Sequence, residues 1–128
     1  MNEDDSDPEN KLGRYILDAA GNPVPEPDLF KWGRWLEENF FNRQIARTEL
    51  PDGHVVSTVF LGLDHGHGGL FGDREPILFE TRAFNDYGSV YEEFCDARYA
   101  TRAEALEGHR TAVDMLLTVL LRDKPGEE

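Results

Sequence analysis

Gln44-Ile45-Ala46-Arg47-Thr48-Glu49-Leu50, then Pro51-Asp52-Gly53, then His54-Val55-Val56-Ser57-Thr58-Val59-Phe60-Leu61-Gly62-Leu63 is the stretch that decides the fold. Two β-prone runs flank a turn in which Pro suits the first position and Gly the later one that requires positive φ, so the runs pair as an antiparallel hairpin. In the second run Val55, Val59, Leu61 and Leu63 alternate with Val56, Phe60 and Gly62. Both of its faces are apolar, which predicts a strand in the middle of a sheet.

Downstream, a glycine-rich loop from Asp64 to Pro76 leads to a third strand, Ile77 to Phe84, and a turn at Asn85 to Ser89 leads to a fourth, Val90 to Tyr99. Thr101 and Glu104 form a capping box, and the helix they open carries Leu106, His109, Val113, Leu117 and Leu120 on one face. Upstream, Tyr15-Ile16-Leu17 is a short strand. Asp18 to Asp28 holds prolines at 23, 25 and 27 and is expected to cross the surface as a connector. Asp28 caps a helix over about 29 to 41, with Leu29, Trp32, Trp35, Leu36 and Phe40 at helical spacing. The implied fold class is α+β: one domain whose antiparallel sheet of about four to five strands carries both helices packed on one face. Its boundaries fall at 12 and 123, between a disordered acidic tail over 1–11 and a short C-terminal tail over 124–128. Trp32, Trp35, Leu117 and Leu120 are expected to carry much of the core.

The 128 residues match one domain, and 39% hydrophobic content suits a folded core. Net charge is −13, but Met1–Glu9 carries five of the 26 acids and none of the 13 bases, so the rest of the chain holds 21 acids and a charge of −8. A negative body argues against nucleic acid, whose phosphates are bound mainly by Lys and Arg. No apolar run reaches the roughly 18 residues of a membrane span, and the acidic start is unlike a basic signal peptide. A soluble, cytoplasmic protein without a membrane partner is expected. Cys95 alone cannot close an internal disulfide and reads as a small buried hydrophobe.

Chemistry has few candidates. Asp64-His65-Gly66-His67-Gly68-Gly69 follows the apolar strand, and His65, His67 and Asp64 are metal-ligand types; further ligands would have to come from Asp73, Glu75 or His109. Two histidines in a glycine loop are also simply a loop, so no metal and no cofactor is assigned. His109 faces inward, either as an acid or base near neutral pH or as a hydrogen-bonded core residue. Trp32 and Trp35, neighbours on a helix face with Gly33 between them, are core or, where exposed, a binding patch. Neither a phosphate-loop nor a dinucleotide-binding glycine pattern is present.

Tyr15-Ile16-Leu17-Asp18, then Gly21-Asn22-Pro23-Val24-Pro25-Glu26-Pro27-Asp28-Leu29 with the paired tryptophans, Val56 to His65, Pro76 to Thr81, and Tyr99-Ala100-Thr101 with Glu104-Ala105 and Gly108-His109 resemble a small uncharacterised protein family of tailed bacteriophages and prophages. The resemblance covers most of residues 14 to 116, with His67 outside the shared pattern. It implies a genomic setting, a bacterial host cell, and no established activity. It directs attention to Asp64, His65, Glu80 and His109 as catalytic candidates. With no convincing catalytic set, the expected function is a phage or prophage accessory protein that binds a host or phage protein, as a regulator or anti-defence inhibitor. The alternative is a small hydrolase or ligand- or metal-binding domain built on Asp64 and His65. Binding residues are expected at His65, His67, Gly68, Gly69, Trp32 and Trp35, with the loop over 64–76 forming either a site or an ordinary connection. An unpaired sheet edge suggests a homodimer.

Overall fold

The computed structural model describes residues 13–51, 53–64, 75–85 and 97–122. The acidic tail, the C-terminal tail, His65, His67, Gly68, Gly69, Asp73 and Cys95 lie outside the described residues, as does the 90–96 part of the expected fourth strand.

The Gln44-to-Leu63 hairpin forms as expected. β3 (Gln44–Glu49) and β4 (Val55–Phe60) pair antiparallel, Leu50 N–H donates to His54 O, and Gly53 takes φ 96°. β5 (Phe79–Phe84) and β6 (Ala97–Tyr99) complete a four-stranded sheet of order β3-β4-β5-β6 with every pairing antiparallel, so β4 lies inside it.

Upstream, β1 (Tyr15–Leu17) is present, but the expected connector contains a further strand. β2 (Pro23–Pro25) pairs antiparallel with β1 as a separate ribbon. The prolines permit this because Asn22 O and Glu26 N bond toward β1; by alternation the N–H slots of Pro23 and Pro25 point away from it. Tyr15 N–H to Gly62 O and Asp64 N–H to Gly13 O then tie the ribbon to the end of β4.

α1 (Leu29–Glu38) starts at Asp28, whose carboxylate accepts from Phe30 N and Lys31 N. Those backbone bonds, the Lys31 one foremost, hold the Asp28 carboxyl below its ordinary pKa. Its expected inner stripe is only partly inner. Trp32, Trp35 and Leu36 are half-buried, while Leu29 and Phe40 at the two ends are exposed. α2 (Arg102–Arg122) carries the expected capping box, Glu104 N–H to Thr101 Oγ1 at 3.1 Å. Its buried stripe is Ala105, His109, Ala112 and Leu116, whereas Leu106 is exposed and Val113, Leu117 and Leu120 only flank the core.

Val56, Thr58 and Phe60 of β4 and Phe79, Thr81 and Ala83 of β5 form the covered sheet face. Two apolar clusters result. One joins Leu50, Val56, Ala83, Ala112 and Leu116; the other joins Phe60, Leu78, Phe79 and Ala105, with Trp35 against it. Both helices therefore serve one face, and the core centres on Phe60, Phe79 and Leu116 rather than on Trp32, Trp35, Leu117 and Leu120.

Candidate functional site

The three described catalytic candidates stand in three environments. Asp64 lies just past the β4 end, where its Oδ1 accepts from Ile77 N at 2.9 Å and its own N–H reaches Gly13 O. It ties together the two ends of the intervening loop and the start of β1. Its charge and, above all, burial hold the Tyr15 phenol above its ordinary pKa.

His109 is buried in the layer between the two apolar clusters. Nδ1 meets Thr58 Oγ1 at 2.7 Å and Nε2 meets Thr48 Oγ1 at 2.9 Å, while Thr58 also bonds to Thr81. Of the two alternatives for this histidine the hydrogen-bonded core residue is what the geometry shows, and burial pushes its pKa below 6.5. A ring whose two nitrogens are both engaged by hydroxyls has no free position for a substrate proton.

Glu80 occupies the opposite sheet face. Its side chain is only 8% exposed and is bridged by two guanidinium groups: Arg82 Nε lies 3.2 Å from Oε1 and Arg98 Nε 3.0 Å from Oε2. The alternation Glu80-x-Arg82 carries half of this arrangement in the sequence; Arg98 arrives only through the β5–β6 register, Glu80 opposite Arg98.

Asp64, Glu80 and His109 thus do not converge. Among the described residues no group of three His, Cys, Asp or Glu side chains could hold a metal ion, and Glu75 is exposed. Trp32 is anchored by Nε1–H to Gly62 O at 2.9 Å, and Trp35 packs edge-on against Phe60 at 5.9 Å, so both act as joints between α1 and the sheet. A Cβ at Gly33 would meet nothing within 4 Å, so that glycine serves no close approach.

Exposed aromatic rings are the feature missed in the sequence. Phe30 is 79% exposed, Phe40 64% and Phe41 85%. Phe30, Arg34 and Glu37 lie at four- and three-residue steps on α1 and are all exposed, and Phe40 and Phe41 stand exposed just past its C-cap, Asn39. Phe40 and Phe41 meet edge-to-face at 5.2 Å. The signal was present as Phe40-Phe41 at a helix end, where one of two adjacent aromatics must point outward.

The fold and these sites define a small α+β domain with a split core and exposed phenylalanines on and just past α1. Protein-family models, curated proteins and solved structures were each searched, and none matches this chain. No helix among the described residues is long and apolar enough to cross a membrane.

Proposed function

We propose that this chain is an accessory protein of the bacteriophage or prophage type that its sequence resembles, acting in the host cytoplasm by binding a host or phage protein, as a regulator or an inhibitor of defence. The observation that carries the proposal is the exposure of Phe30 on α1 and of Phe40 and Phe41 just past its end. Large aromatic rings left in water are costly to expose, and such patches are typical of protein contacts. The alternative hydrolase or ligand-binding domain on Asp64 and His65 is supported less, because Asp64 already holds Ile77 and because Glu80 and His109 face opposite sides of the sheet.

A Phe30→Ser/Phe41→Ser double variant tests this reading. Its stability should stay within about 0.5 kcal/mol per site, as at other surface positions, while the partner captured from host lysate by the wild-type chain is lost. Capture undiminished by the double variant would refute this face as the contact.

The proposal includes a homodimer, because β3 is an edge strand of the four-stranded sheet. Light scattering should give about twice the monomer mass of 14.6 kDa. A monomer mass at high concentration would remove the dimer and leave the partner contact standing.

A further inference from the structure

On the sheet face turned away from the helices, the register lays side chains out in rows. Glu49, Val55 and Phe84 form one; Arg47, Ser57 and Arg82 the next; Val59, Glu80 and Arg98 the third. Among the described residues of these rows, three of the chain's 13 bases share one face with two acids, on a protein whose net charge is −13. Arg47 is engaged by Glu49 through a terminal nitrogen at 2.8 Å.

Arg82 and Arg98 are engaged differently. Both approach Glu80 through Nε, one at each carboxylate oxygen, and no terminal nitrogen of either makes a hydrogen bond among the described residues. Their side chains are 44% and 39% exposed over a carboxylate that is 8% exposed. A buried carboxylate bridging two partly exposed guanidinium groups leaves one positive charge in excess. Guanidinium N–H groups not used by such a bridge are donors that take a phosphate or carboxylate in paired hydrogen bonds. Beside it, on the same face, Gln44, Arg47, Val55, Ser57 and Phe84 line an open cavity of about 530 Å³. Its apolar side, Val55 and Phe84, adjoins the row that holds Arg82, and Arg98 stands one row further along.

We propose that this face is an oxyanion-binding site: the terminal nitrogens of Arg82 and Arg98 take the phosphate or carboxylate group of a small organic anion whose apolar remainder lies toward Val55 and Phe84, and Glu80 is the positioning residue. A long polyanion is disfavoured, since the rest of the acidic surface repels it. The site is independent of the exposed phenylalanines on and just past α1.

Calorimetric titration of the full chain at low salt with phenyl phosphate and, separately, with phenylacetate distinguishes the two sources of the anion. Saturable binding is expected for at least one, weakened about tenfold or more by R82Q and by R98Q, each of which removes charge-assisted hydrogen bonds, and unchanged by R110Q on α2. R98K, which keeps the charge beside Glu80 but loses the planar fork, should weaken binding as well and serves if R98Q does not fold. E80Q adds one unit of positive charge, so simple attraction would tighten binding; loss of alignment should weaken it. No saturable binding of either probe, or losses equal to that in R110Q, would overturn the site. Tighter binding in E80Q would overturn the role given to Glu80.

Discussion

Phe60→Ala is expected to lower the unfolding free energy by about 3 to 5 kcal/mol, the usual cost of deleting a buried aromatic ring. Phe60 is fully buried, and its ring contacts Phe79 at 5.5 Å and Trp35 at 5.9 Å, so it joins β4, β5 and α1 in one cluster. The cavity left by alanine cannot collapse easily. Phe60 N–H donates to Arg43 O and Phe60 O accepts from Arg43 Nε, which fixes the backbone on both sides of the hole. Burial also pulls the Arg43 guanidinium below its ordinary pKa, so that contact is itself partly sheltered from water. Against a typical domain stability of about 5 to 15 kcal/mol, the loss is a large share. Urea unfolding should show a lower midpoint at an unchanged slope. Phe41→Ala, 85% exposed, serves as the contrast, with a change within about 0.5 kcal/mol. A Phe60→Ala loss no greater than the Phe41→Ala one would mean that α1 does not pack on the sheet as described.

The elements legible in the sequence were those whose cause is local. The β3–β4 hairpin follows from Pro51 and Gly53, the start of α1 from Asp28 and the start of α2 from Thr101 with Glu104. What escaped depends on which element comes to lie alongside. β2 escaped because prolines argue against a strand until a partner exists on one side only. A periodicity count on α2 is dominated by the large apolar residues Leu106, Val113, Leu117 and Leu120, whereas the sheet buries the neighbouring stripe of Ala105, His109, Ala112 and Leu116. The candidate sites divide in the same way. The inward position of His109 follows from helical spacing, but its partners Thr48, Thr58 and Thr81 come from three strands and become neighbours only through register. Asp64 attracted a chemical reading because it precedes a histidine; its backbone partners Gly13 and Ile77 lie far off in sequence.

His109→Ala is expected to cost about 2 to 4 kcal/mol, because it opens a cavity and also strips hydroxyls of their partners inside the core. Thr48 Oγ1 and Thr58 Oγ1 both lose a ring nitrogen, and the surviving Thr58–Thr81 bond cannot replace both. The same burial makes the contribution depend on pH. The folded imidazole has its pKa below 6.5, whereas the unfolded chain restores about that ordinary value. Well above 6.5 the ring is neutral in both states and adds no pH dependence. As pH falls through 6.5 the unfolded chain takes up the proton first, which favours unfolding, and stability declines until the lower folded pKa is passed. His109→Gln retains a hydrogen-bonding side chain but cannot titrate there. The stability gap between wild type and His109→Gln should therefore be widest at about pH 7.5 and narrow at about pH 5.5, measured by urea unfolding at each pH. An equal gap at both would show that the imidazole is not desolvated. A gap that widens on acidification would mean that the folded pKa is raised and that the histidine is buried as a cation held by its neighbours.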